Sequence, residues 1–172
     1  MLSSTSEVQS LESTAEYTCC CPATITTSVK INAPPEKVYE VLIDGPGHDQ
    51  WNPFMSQCTF TKSTQVGETT QAVMNGDQKF TPVVTVHNPG QEFEWLGSMC
   101  CNCFFAGRHN YRLERSPTDP NATIFHQSEH FTGCFLYSII CLAPCILLKP
   151  TTKNFAAMNL ALKKKAEESC MK

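Results

Sequence analysis

The feature that most limits the fold of this chain is a series of short stretches in which apolar and polar residues alternate, ending in one long amphipathic stretch. Alternation runs through residues 107–115 and again through 123–132. Apolar residues at every second position are typical of half-buried strands. After Pro150 the apolar residues recur instead at the period of a helix. A hairpin followed by a long helix predicts an α+β domain in which the helix packs against a sheet.

The rest of the chain fits the same two-layer arrangement. Residues 24–31 alternate and predict a first strand, and the prolines that follow predict a short helix over 35–43. Gly45, Pro46 and Gly47 end that helix before a second helical turn near residue 50, and weaker strands follow up to the hairpin. We expect about seven antiparallel strands in a curved sheet, two short helices after the first strand, and a C-terminal helix over 151–168 opened by Pro150.

Length and charge narrow the class of protein. The chain has 172 residues, which suggests a single domain, and we assign that domain to residues 19–172. Residues 1–18 are polar and lack an apolar period, so we expect a disordered or loosely attached arm. The formal net charge of −3 argues against a nucleic-acid partner, since such proteins normally carry a basic patch.

Cysteine is unusually frequent, with 11 in the chain. Residues 1–18 show no secretory signal, so we expect a cytoplasmic protein with free thiols. The cluster at 19–21 contains no C-x-x-C pair, and the cluster at 100–103 contains one, Cys100 with Cys103. Because a structural zinc site normally pairs two such knuckles, we predict no metal site. We interpret most of the cysteines as small buried side chains. For residues 19–21, lipidation and redox sensitivity remain alternatives.

The longest apolar run, 134–148, contains Pro144 and is shorter than the ~20 residues that a membrane-spanning helix needs. It is either a buried segment or one that lines a ligand entrance or touches a membrane surface.

Several short motifs, weak singly, occur in a characteristic order and spacing between residues 24 and 168. They are INAPPEKVYEVL at 31–42, WNPF at 51–54, VGE at 66–68, PG at 89–90 with FEW at 93–95, GRHNY at 107–111, EHFTG at 129–133 and FAAMNLALK at 155–163. The chain thereby resembles the START-like superfamily, also called SRPBCC, which shares the birch-pollen-allergen fold. It is most similar to the polyketide cyclase/dehydrase-like branch.

The resemblance implies a helix-grip fold, in which a seven-stranded antiparallel sheet surrounds a long C-terminal helix. It also implies a cavity between sheet and helix for lipids, sterols, polyketides or other apolar ligands. Carriers, hormone receptors, cyclases and chaperone activators share this fold, so the resemblance alone does not decide the function.

Pairing of the two best strands brings two ionisable side chains together. If the strands pair directly across their loop, His109 lies opposite Glu129 and Leu113 lies opposite Phe125. The apolar pair marks the inward face, so His109 and Glu129 face inward as well. They form either a general acid/base pair or a buried structural ion pair. Tyr111, on the same face, is a candidate for orienting a ligand oxygen or a core residue.

Other side chains are candidates for the wall of the cavity, although sequence does not separate wall from core. These are Trp51, Phe54, Trp95, Phe131, Phe155, Met158 and Asn159. Asn159 is an amide within the apolar stripe of the last helix, so it needs a partner from the ligand or from the protein. His48 and His87 fall in predicted turns and indicate no function.

Two functions remain open. The first is a carrier or binding protein for a small hydrophobic ligand of the lipid, polyketide or terpenoid type. The second is a cyclase, dehydratase or isomerase of secondary metabolism that uses His109 and Glu129. Neither hypothesis implies a cofactor.

Overall fold

The computed structural model describes residues 13–16, 23–74, 76, 78–99, 104–134 and 144–171. The strands in this part of the chain are β1 (Ser13–Glu16), β2 (Ala23–Ile31), β3 (Met55–Cys58), β4 (Ala72–Met74), β5 (Gln78–Phe80), β6 (Val83–Asn88), β7 (Glu92–Met99), β8 (Phe105–Arg115) and β9 (Thr123–Thr132). The helices are α1 (Pro35–Leu42), a 3-10 helix (Gly45–Gln50) and α2 (Pro144–Cys170).

The strands form two antiparallel sheets. Six of them pair in the order β1-β2-β9-β8-β7-β6, and the other three pair in the order β3-β4-β5. A single bridge between Thr69 and Val83 connects the two sheets. Helix α2 packs against β2 and α1. This arrangement confirms the predicted α+β helix-grip fold and its two short helices. The described strands number nine against about seven predicted.

The short helix α1 begins where the sequence predicts. Pro34 has an extended backbone, and Pro35 occupies the first turn, where its missing N–H costs no helical hydrogen bond. Val38, Tyr39 and Leu42 then fall on one face and are buried. The helix therefore closes one end of the space between the sheet and α2.

The prediction for the C-terminal helix is wrong at its start. Helix α2 begins at Pro144, and Pro150 lies inside it. A proline within a helix removes one backbone hydrogen bond, but the buried residues Leu148 and Phe155 hold the helix against the core on either side. The predicted apolar stripe is confirmed, since every residue in it is fully buried: Phe155, Met158, Asn159, Leu162 and Ala166.

Part of the predicted N-terminal arm has regular structure. Ser13–Glu16, within the predicted arm, pairs with β2, with Ser13 opposite Thr27. Pairing satisfies an edge of β2 that would otherwise expose its backbone groups. The rest of the arm lies outside the described residues, and so do the cysteine clusters at 19–21 and 100–103 and residues 135–143 of the apolar run.

Among the helices in the described ranges, none is long and apolar enough to span a bilayer.

Candidate functional site

The site is built on the hairpin of β8 and β9. Its register places His109 opposite Glu129 and Leu113 opposite Phe125, which confirms the predicted pairing. Nδ1 of His109 lies 2.7 Å from Oε2 of Glu129, and the two side chains are only 2% and 12% exposed. Because strand side chains alternate between faces, this register turns both residues toward the space between the sheet and α2.

The second ring nitrogen of His109 is also engaged. Nε2 of His109 lies 3.0 Å from the amide nitrogen of Gln127. The same Gln127 nitrogen lies 3.5 Å from Sδ of Met158. An amide N–H group can donate to both of these atoms, whereas the reversed amide would place a carbonyl oxygen against the sulfur. We therefore assign His109 as a neutral imidazole that donates from Nδ1 to Glu129 and accepts at Nε2.

A glycine makes room for the carboxylate. A Cβ atom at Gly107 would lie far inside van der Waals contact with Oε1 of Glu129, so only glycine lets this oxygen lie over the strand. No described residue donates a hydrogen bond to Oε1, while Oε2 is held by His109. The free oxygen is thus the polar atom that the pair offers to a bound molecule.

A cavity of about 140 Å³ opens beside this carboxylate, between the sheets and α2. Four of the predicted wall residues border it together with His109 and Glu129. These four are Phe54, Trp95, Phe131 and Phe155. The other bordering residues are Met74, Gln78, Phe80, Pro82, Gly97, Ser98, Phe105, Gly107 and Thr151. The cavity is therefore mainly aromatic, with one carboxylate on its wall.

Two aromatic residues of the cavity wall lie against His109. The ring of His109 lies 4.9 Å from that of Phe155 and 5.4 Å from that of Trp95, measured between centroids. Phe54 packs edge-on against Phe155 at 5.7 Å. These rings pack around the imidazole, and the carboxylate of Glu129 is the acidic group of the wall among the described residues.

Two predicted residues lie behind the cavity wall. The hydroxyl of Tyr111 points at Sδ of Met158, 3.8 Å away, and burial raises the pKa of this hydroxyl well above its ordinary range. Neither residue is among those that border the cavity. Tyr111 thus occupies a core position outside the cavity wall.

Asn159 and Trp51 also lie apart from the cavity. The amide nitrogen of Asn159 donates to Oγ1 of Thr27 over 3.0 Å, so its partner is another side chain. Trp51 is half-buried and packs against the ring of His48, with centroids 4.6 Å apart.

Sequence reasoning missed three residues that shape the site. Gly97 and Gly107 lie opposite each other and border the cavity, and Gln127 caps His109. Each has the same inward parity as its neighbour Trp95, His109 or Glu129, which is the signal that could have found them. The two glycines and Gln127 were interpreted only as strand residues, because neither a glycine nor an amide on a buried face indicates a site by itself.

A buried polar network holds Phe54 at the cavity. Oδ1 of Asn52 accepts hydrogen bonds from the backbone N–H groups of Phe54 and Met55, at 2.9 and 3.1 Å. The amide nitrogen of Asn52 donates to Nδ1 of His48, and Nε2 of His48 donates to the carbonyl of Leu42. Burial lowers the pKa of His48 to about 4, so the ring is neutral at pH 7. His48, predicted to carry no function, therefore orders the loop that supplies a cavity residue.

The chain is similar to a known protein family and to several solved structures. Residues 22–144 match the family described as polyketide cyclase/dehydrase and lipid transport. A search of curated proteins found no match. Among solved structures, the Zhui aromatase/cyclase from Streptomyces sp. R1128 is 14% identical with a TM-score of 0.63, covering 86% of this chain and 94% of that one.

Two further solved structures share the fold. A START superfamily protein from Mycobacterium smegmatis is 13% identical with a TM-score of 0.62, covering 84% of this chain and 97% of that one. DynU16, a protein of the dynemicin biosynthetic locus, is 14% identical with a TM-score of 0.63, covering 84% of this chain and 47% of that one. At these identities the similarity establishes the architecture only.

Proposed function

Because the chain belongs to the polyketide cyclase/dehydrase and lipid transport family of the START-like superfamily, we propose that it binds a small hydrophobic ligand as a carrier or binding protein. The observation that carries this proposal is the aromatic cavity of about 140 Å³ beside α2. A dry apolar cavity of roughly 150 Å³ is large enough to hold benzene in another protein. The cavity therefore suits a ligand portion about the size of one aromatic ring.

A cavity-filling substitution tests the proposal directly. Gly97 borders the cavity, and a Cβ atom built there has no neighbour nearer than 4.0 Å. Gly97→Leu should fill the space without strain in the strand, and Gly97→Ala is the matched control. We expect ethylbenzene, followed by NMR titration, to bind the wild type and Gly97→Ala but not Gly97→Leu. Equal binding to all three would place the ligand elsewhere and contradict the proposal.

A complementary measurement uses the protein as it is purified. Native mass spectrometry should detect a bound hydrophobic molecule that is released on unfolding, and its mass would give the chemical class. The same preparation of Gly97→Leu should lack that molecule.

One observation favours a second function, that of a cyclase, dehydratase or isomerase. Glu129 lies on the cavity wall and Oε1 accepts no hydrogen bond from the described residues, whereas both ring nitrogens of His109 are engaged by the protein. In such an enzyme Glu129 would exchange a proton with the substrate, and His109 would position the carboxylate. The roles therefore differ from those expected from the sequence, in which either residue could act on the substrate.

The two functions are distinguished by turnover. With a linear β-keto substrate, the enzyme hypothesis predicts that Glu129→Gln abolishes product formation while substrate affinity changes little. His109→Gln should lower kcat with little change in KM, as expected for a residue that acts through another. Product formed at the wild-type rate by Glu129→Gln would exclude this second function and leave the binding function standing.

A further inference from the structure

The charge and the walls of the cavity point to a particular ligand chemistry. Resting on the proposed binding function, we propose that the ligand is a small aromatic or alkyl amine, whose protonated nitrogen contacts Oε1 of Glu129. Its hydrocarbon part then fills the cavity between Trp95 and Phe155.

Glu129 gives the cavity wall an acidic group. The described residues that border the cavity include one carboxylate, Glu129, and no lysine or arginine. Nε2 of His109 accepts a hydrogen bond from Gln127, so the imidazole is neutral and supplies a hydrogen bond but no positive charge. A carboxylate at an apolar wall is costly unless a partner compensates its charge. A ligand cation removes that cost.

The positive side chain next to His109 in the sequence is Arg108. Arg108, which precedes His109 in β8, belongs to the opposite face of the sheet and is paired with Glu94 over 2.8 Å. Because successive strand side chains point to opposite faces, this cation does not reach the cavity. Since no described lysine or arginine borders the cavity, a ligand cation can supply the compensating charge.

Aromatic rings form much of the cavity wall. The cavity is bordered by five phenylalanines and one tryptophan, which are Phe54, Phe80, Trp95, Phe105, Phe131 and Phe155. The face of an aromatic ring attracts a cation through its quadrupole, and the attraction is stronger in a desolvated site. A carboxylate within such a wall distinguishes an ammonium group from an alkyl group, which would gain only hydrophobic contact.

Two neighbouring residues set the orientation of the Glu129 carboxylate. Gly107 lets Oε1 lie over the strand, and His109 holds Oε2, so the carboxylate has one fixed orientation before any ligand arrives. A preorganised acceptor avoids the entropy cost of ordering a flexible carboxylate on binding. The arrangement thus favours a ligand with a strong donor over one that is hydrocarbon throughout.

The test uses three probes of nearly the same shape: benzylamine, benzyl alcohol and ethylbenzene. Their dissociation constants are measured by NMR titration at pH 7 and 150 mM salt on the wild type, Glu129→Gln and Glu94→Gln. Glu129→Gln removes the charge with little change in shape. Glu94→Gln removes a carboxylate from the outer face of the same sheet and is the matched control.

We expect the wild type to bind benzylamine at least about tenfold more tightly than the other two probes, as a charge-assisted hydrogen bond would give. The preference should disappear in Glu129→Gln and persist in Glu94→Gln. Ethylbenzene or benzyl alcohol binding as tightly as benzylamine would overturn the amine proposal and leave the hydrophobic binding function intact. Equal loss of preference in both variants would also overturn it, because the effect would then come from overall charge.

Failure of all three probes to bind the wild type would overturn the proposed binding function together with the amine. The comparison among probes on the wild type needs no variant, so the proposal stays open to refutation even if Glu129→Gln fails to fold.

Discussion

The imidazole of His48 should make the stability of this protein depend on pH. Its side chain is fully buried, Nε2 donates to the Leu42 carbonyl, and Nδ1 accepts from Asn52. The Asn52 amide cannot turn round, because its oxygen already accepts from two backbone N–H groups. A proton on Nδ1 would therefore face the N–H of Asn52, and this agrees with the lowering of the His48 pKa by burial.

The size of the effect follows from the two pKa values. Burial lowers the pKa of His48 from the ordinary 6.5 to about 4 in the folded protein. The unfolded chain therefore takes up a proton at a higher pH than the folded one, and stability is lost as pH falls from about 6.5 to about 4. The loss reaches about 2 kcal/mol at pH 5 and about 3 kcal/mol in full, at ~1.4 kcal/mol for each pH unit.

The assay is urea denaturation of the wild type and His48→Gln at pH 7, 6 and 5, with the free energy of unfolding taken at each pH. Glutamine does not titrate, so the variant should lose about 2 kcal/mol less than the wild type between pH 7 and 5. His126→Gln, on the outer face of β9, controls for the removal of one histidine without disturbing a buried network. A His48→Gln variant that keeps the full wild-type pH dependence would refute the reasoning, whatever its stability at pH 7.

Three further predictions concern the buried residues Gly107, Cys58 and Tyr111. Gly107→Ala should lower the free energy of unfolding by about 1–3 kcal/mol in urea denaturation, since a Cβ there collides with the carboxylate above it, whereas Gly97→Ala, with open space, should stay within about 0.5 kcal/mol; similar losses in both would contradict this. Burial raises the pKa of the Cys58 thiol to about 12, so iodoacetamide followed by peptide mapping should label exposed Cys170 in the native protein and Cys58 only after unfolding. Tyr111→Phe should leave ethylbenzene affinity unchanged within about twofold, because the hydroxyl contacts a thioether behind the wall; a larger loss of affinity in the same NMR titration would place Tyr111 in the site.

The register of the β8–β9 hairpin could be predicted from sequence because a strand has a side-chain period of two. Once the apolar pair Leu113 and Phe125 was taken as inward, the partners His109 and Glu129 followed without any knowledge of distant contacts. The stripe of α2 was predictable for the same reason, with a period of 3.6 residues. Local periodicity thus determined which side chains face the helix and which face outward.

The boundaries of elements were less predictable. Pro150 is a local signal for the start of a helix, yet α2 extends through it from Pro144. Burial of Leu148 and Phe155 on either side supplies tertiary contacts that outweigh the local preference. The pairing of Ser13–Glu16 with β2 has the same origin, since a polar segment without an apolar period was drawn into a sheet by a free edge.

By itself, the sequence determined the α+β architecture, the inward face of each strand of the hairpin, and the pairing of His109 with Glu129. Only the tertiary structure decided which atoms of these groups are already engaged by the protein. Gln127 occupies the second nitrogen of His109, and Gly107 leaves Oε1 of Glu129 uncovered, so the carboxylate faces the cavity and the imidazole supports it. The physical reason is that alternation specifies the direction of a side chain, whereas contact within hydrogen-bond distance depends on how separate strands and the helix pack together.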